Sequence, residues 1–115
     1  MMEERRKIKR RYLMFYSRVY DRKSGRLIGH LSDLTREGAM IIGEEPVEPG
    51  QLFNLSMDLP EDIFGKPLLF FEAKSIWCKP DVDPAFYVSG FHVEKITPAD
   101  VEIIERIVES YGFRD

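Results

Sequence analysis

One cysteine and two histidines in 115 residues set the first limits. Cys78 cannot close an internal disulfide, and three such side chains fall short of the usual zinc ligand sets unless carboxylates join them. A reducing compartment and no structural metal are expected. Long apolar runs are missing as well: the longest pieces are of the kind Leu68-Leu69-Phe70-Phe71, far below the roughly 18 to 20 residues that a membrane span requires. Charge begins at Glu3 with no apolar stretch behind it, which argues against a secretory signal. A cytoplasmic chain without membrane insertion follows as the expectation. The sequence also holds no phosphate-cradling glycine loop and no nucleophile with a base beside it, so no enzyme is expected. Asp81 and Asp83 lack the rest of a calcium loop.

What is present is the composition of one folded domain, 43% hydrophobic, 32% charged and 12% aromatic, too short for a second independent core. The net charge of −3 hides an asymmetry: residues 1–11 carry six basic side chains against two acidic, a net of +4 that leaves −7 for the remainder. Residues 1–11 are expected to form a flexible basic segment and residues 12–115 the folded body, since blocks of like charge are commonly disordered. Such a split points to an anionic partner at the N-terminus, while the acidic body makes long nucleic acid an unfavourable one.

Along the body, Tyr12 to Tyr20 alternates, with Leu13, Phe15 and Val19 on one face and Tyr16, Arg18 and Tyr20 on the other, the pattern of a half-buried strand. The turn cluster Asp21-Arg22-Lys23-Ser24-Gly25 predicts an antiparallel return over 26–32. A short strand over 39–42 follows Asp33 to Gly38, and the prolines and glycine of 45–50 separate it from the next. There Phe53, Leu55, Met57 and Leu59 are expected inside, and Asn54, Ser56 and Asp58 outside. Residues 60–67 read as a loop, 68–77 as a long strand, 79–84 as a polar loop and 86–94 as the last strand. Phe70, Phe71 and Trp77 are expected in the core, an aromatic near the mouth being able to stack on a base. His30 and His92 are expected at surface or hydrogen-bonded strand positions, and Cys78 as a buried or incidental thiol.

The period changes at the end. Thr97-Pro98-Ala99-Asp100 offers a capping hydroxyl, a proline at the first helical position and a carboxylate in the first turn, which predicts a helix over about 97–112. Val101, Ile104, Val108 and Tyr111 form its expected apolar stripe, and Gly112 its stop. Six strands and one helix give a mainly β chain: a six-stranded antiparallel barrel of split-barrel type with a C-terminal α-helix against its wall or mouth.

Two segments could carry chemistry. Arg6-Lys7-Ile8-Lys9-Arg10 places arginines four apart just before the first strand, and Asp33-Leu34-Thr35-Arg36-Glu37-Gly38 sets an acid, a hydroxyl and a glycine at fixed offsets. Each also has a plain structural reading. The first is a solvated basic tail; in the second, Asp33 and Thr35 would bond the local backbone and Gly38 would supply a positive φ.

Together, in this order and inside this strand pattern, they resemble the PilZ domain family, whose signatures are RxxxR before the first strand and [D/N]xSxxG after the second. Arg6 and Arg10 match the first; Asp33, Thr35 and Gly38 match the second, with threonine where the family usually has serine. Pro49-Gly50 at the start of a strand, Trp77, and Gly90-Phe91-His92-Val93 resemble further landmarks, so the likeness spans essentially the whole chain. It implies a receptor or adaptor for the bacterial second messenger cyclic di-GMP, with no cofactor and an unidentified downstream protein as partner. A guanidinium fork matches phosphate oxygens, or guanine O6 and N7, as lysine cannot. The opposite guanine edge presents N–H donors to Asp33, and the Thr35 hydroxyl can donate or accept. Arg5, Arg11 and Arg36 are further candidates for phosphate contacts. Two other readings compete: an adaptor of this type that works without nucleotide, and a small single-stranded nucleic-acid barrel, which predicts stacking aromatics on an exposed strand face.

Overall fold

The computed structural model describes residues 17–111 and, within them, all side chains but those of Asp62, Ser110 and Tyr111. The expected strand start over 12–16, the basic segment and the stop at Gly112 lie outside the described residues. Six antiparallel strands form a ring: β1 (Arg18–Asp21), β2 (Leu27–Leu34), β3 (Gly38–Gly43), β4 (Leu52–Asp58), β5 (Leu68–Pro80) and β6 (Tyr87–Lys95). They neighbour one another in the order β1-β2-β3-β6-β5-β4, and β4 pairs back onto β1 to close the barrel. Alternation fills the interior as periodicity predicts, with Val19, Leu31, Ile41, Leu55, Met57, Leu69 and Phe91 all buried.

Three local expectations change. Residues 60–67, expected as a loop, contain one helical turn, α1 (Glu61–Phe64), which ends on the left-handed Gly65. Ser56, placed outside by alternation, is buried; its cross-ladder neighbours, which share its face, are the larger Tyr20 and Phe70. Phe70 itself is on the outer face and 40% exposed, against the expectation that it joins Phe71 in the core. There the Arg22 guanidinium lies 4.1 Å above its ring, which keeps a large apolar surface in contact with a cation.

The C-terminal helix, α2 (Pro98–Tyr111), starts as expected: the Thr97 hydroxyl accepts the Asp100 N–H at 3.2 Å. Its buried stripe is Ile103, Ile104 and Ile107, with Val101 and Val108 only half-buried at the margins, a rotation of the expected face. The rotated face is the one that two contacts to the 63–66 segment accompany. Asp100, almost fully buried, takes the Lys66 ammonium at 2.6 Å, while Arg106 donates to the Ile63 carbonyl and stacks over Phe64. No helix among the described residues is long and apolar enough to cross a membrane.

Candidate functional site

The Asp33 to Gly38 segment is not all turn. β2 runs on to Leu34, and its register against β3 slips between Leu31 and Asp33: Leu31 faces Ile41, but Asp33 faces Met40 and Leu34 faces Ala39. Ser32 is therefore an extra residue, a β-bulge. Its effect is a change of phase. With strict alternation Asp33 would share the inward face of Leu31; the bulge turns Asp33 outward and returns Leu34 to the core, where it is fully buried.

The hairpin link is then Thr35 to Glu37. Thr35 N–H donates to the Gly38 carbonyl at 2.9 Å, and the Thr35 hydroxyl oxygen accepts the N–H groups of Glu37 at 3.2 Å and Gly38 at 3.1 Å. These are the turn-stabilising bonds that the residue types predict. Both acceptor positions of the hydroxyl are engaged, and its proton has only the Gly38 carbonyl at 3.5 Å nearby, too long for a good bond; the O–H can turn to an incoming acceptor. Asp33 Oδ1 accepts the Leu34 N–H at 2.9 Å, which fixes the carboxylate and leaves Oδ2 for other donors. Gly38 departs from its expected reason, since it is not among the positive-φ glycines. Glycine is required there because a Cβ would sit 2.6 Å from the Phe91 carbonyl oxygen of β6.

A second bulge mirrors the first. On β5, Ser75 faces Phe91 while Trp77 faces Gly90, so Ile76 is the extra residue. It turns Trp77, expected in the core, onto the outer face, where the indole is only half-buried. Gly90 permits this, because a side chain at that position would overlap the ring; the Lys79 ammonium lies 5.4 Å from the ring centroid. The two bulges put Asp33, Met40, Gly90 and Trp77 in one row across β2, β3, β6 and β5. That row, with Thr35, Gly38 and Ile76, lines a cavity of about 350 Å³. Acceptors stand at one end and an aromatic face at the other. Met40, Ile76 and Gly90 were missed as site residues; the Trp-over-Gly arrangement has no signature within either strand alone.

A larger cleft, of about 920 Å³, adjoins the first and shares Glu37 and His92 with it. Arg22, Arg36 and Lys95 line it, but so do Glu37, Glu72 and Glu94, so its charges largely oppose one another. The motif residues lie in the smaller cavity, which we take as the site. His92 is exposed at the junction of the two, with Nδ1 3.1 Å from Glu94 Oε2. Arg36 points away from Asp33's cavity toward helix α2, its Nη1 3.2 Å from Glu105 Oε2. Arg5, Arg6, Arg10 and Arg11 lie outside the described residues. Among the described residues no group of His, Cys, Asp or Glu side chains is placed to hold a metal ion.

A family model described as the PilZ domain matches residues 4–110, a stretch that includes Arg6 and Arg10 as well as the whole described barrel. The chain belongs to the PilZ domain family. PilZ domains are receptor and adaptor domains. Among solved PilZ structures, the PilZ domain with c-di-GMP of YcgR from Escherichia coli superposes with a TM-score of 0.63 at 15% identity, over 85% of this chain and 82% of that one. The Bacillus subtilis inhibitor of motility MotI (DgrA) gives 0.61 at 12% identity, over 89% of this chain and 49% of that one. This PilZ chain thus spans about half the length of MotI. At such identities the likeness establishes the fold alone. No curated protein matches the chain significantly in sequence.

Proposed function

We propose that this PilZ domain is a cyclic di-GMP receptor that holds the ligand between its N-terminal arginine segment and the cavity of Asp33, Thr35 and Gly38, and passes the signal to a partner protein. The observation that carries the reading is the double bulge: two strands each spend one extra residue to bring Asp33 and Trp77 into a single outward row. A purely structural hairpin needs neither. Guanine N–H donors suit the Asp33 carboxylate, a base face suits the half-exposed indole, and the Thr35 O–H can donate to the ligand. A cavity near 350 Å³ is at the small end for a ligand site, so it takes part of a dinucleotide and leaves the phosphates to Arg6 and Arg10. Family membership over residues 4–110 places both arginines inside the matched region.

Isothermal titration tests it. Cyclic di-GMP should bind the wild type in the micromolar range or tighter, and Arg10→Ala should remove most of the heat, each charge-assisted bond contributing about 1.5 to 3 kcal/mol. A wild type that gives no heat sinks the proposal, and an Arg10→Ala variant that binds normally sinks the role of that residue. Exposed Phe70 and half-exposed Trp77 lend some weight to the single-stranded nucleic-acid reading. The carboxylates Glu37, Glu72 and Glu94 beside the site oppose a long polyanion. A gel shift with single-stranded DNA separates the two readings: retardation at physiological salt favours the second.

A further inference from the structure

Arg36 sits between Thr35 and Gly38, yet its guanidinium is turned to Glu105 of helix α2 at 3.2 Å. The pair is not needed to hold the helix. Ile103, Ile104 and Ile107 are buried, and Asp100 and Arg106 tie the helix to the 63–66 segment. The partners are 66% and 47% exposed, and an ion pair so hydrated is weak and readily exchanged. Glu105 also stands one turn from Glu102 and Glu109, both exposed, a spacing at which like charges repel along a helix. Arg36 pairs with the middle carboxylate of the three.

We propose that Glu105 is a built-in competitor for the ligand: it occupies Arg36 in the free protein, and a ligand phosphate must take the guanidinium from it. The inference rests on the cyclic di-GMP reading of the site. Glu105 then sets affinity without touching the ligand, and ligand capture breaks the contact between the motif turn and helix α2. Binding at the turn thereby reaches the helix, where Glu105 loses its partner when the ligand is bound.

The test is a double-mutant cycle read by isothermal titration of cyclic di-GMP into the full chain, with thermal melts to check that each variant folds. Glu105→Gln should bind about two- to fivefold more tightly than the wild type, the range an exposed ion pair can supply. Arg36→Ala should bind more weakly, and Glu105→Gln added to Arg36→Ala should change nothing further. A Glu105→Gln variant with wild-type or lower affinity overturns the inference while leaving the receptor reading intact. The same gain in the Arg36→Ala background also overturns it, because Glu105 would then act on the ligand through general charge. A wild type that does not bind overturns the receptor reading and this inference with it.

Discussion

Alanine at Gly38 would push a methyl group to 2.6 Å from the Phe91 carbonyl oxygen, and the atom in the way is backbone, which cannot step aside. Gly38→Ala should therefore lower stability by about 1 to 3 kcal/mol, measurable by urea denaturation, and it should shift β3 against β6 where the motif is displayed. An unchanged midpoint would contradict the close approach. Thr35 offers a finer test. Its hydroxyl accepts two turn N–H groups, so Thr35→Ala should cost about 1 kcal/mol and reduce ligand binding, whereas Thr35→Ser keeps the oxygen and should match the wild type in stability. If the threonine methyl crowds the cavity, the serine variant binds more tightly in the same titration. Asp33, Thr35 and Gly38 were legible as a candidate site because their chemistry is local to six residues, and they line one cavity. The reason for Gly38 was not, since the oxygen that excludes a Cβ comes from Phe91, more than fifty positions along the chain.

Strands and helix carry different tests. Deleting Ser32 removes the bulge and restores strict alternation, which would send Asp33 inward and Leu34 to solvent. The deletion variant should lose ligand binding and its cooperative thermal transition; retention of both would show that the bulge does not set the phase. On the helix side, Lys66→Ala leaves the buried Asp100 carboxylate without its ammonium. A loss of about 1 to 3 kcal/mol is expected in denaturant titrations, and Asp100→Asn in the same background should recover part of it. One phase slip leaves a trace in the sequence, Leu31 and Leu34 standing three apart, but with the strand ended at residue 32 it was not read as one. The other was hidden: Phe71, Ala73, Ser75 and Trp77 keep perfect alternation, so the sequence points Trp77 inward and only the pairing with Gly90 reveals the slip. The rotation of helix α2 was hidden for a similar reason, because Val101, Ile103, Ile104, Ile107 and Val108 allow two overlapping stripes and the anchors Lys66 and Ile63 come from another part of the chain.

For the molecule as a whole, the barrel-then-helix order was readable because both periods are clean and the turns between strands are rich in glycine, proline and aspartate. The charge split between residues 1–11 and the rest was equally plain, and it predicts how binding responds to salt. If phosphates are held by arginines, affinity for cyclic di-GMP should fall several-fold between about 50 and 500 mM sodium chloride, as the screening length shortens from above 10 Å toward about 4 Å. An affinity that ignores salt would remove the arginines from the account. The pairing of β4 with β1 has a further consequence for how this domain can speak to a partner. Many regulatory contacts are made by one chain laying a strand along the open border of another's sheet, where unspent backbone amides and carbonyls guide it in. Among the described residues the ring of six strands leaves no strand with a whole side unpaired. A partner would then read side chains, and the exposed Arg36–Glu105 pair is one feature that the proposed ligand exchange would alter.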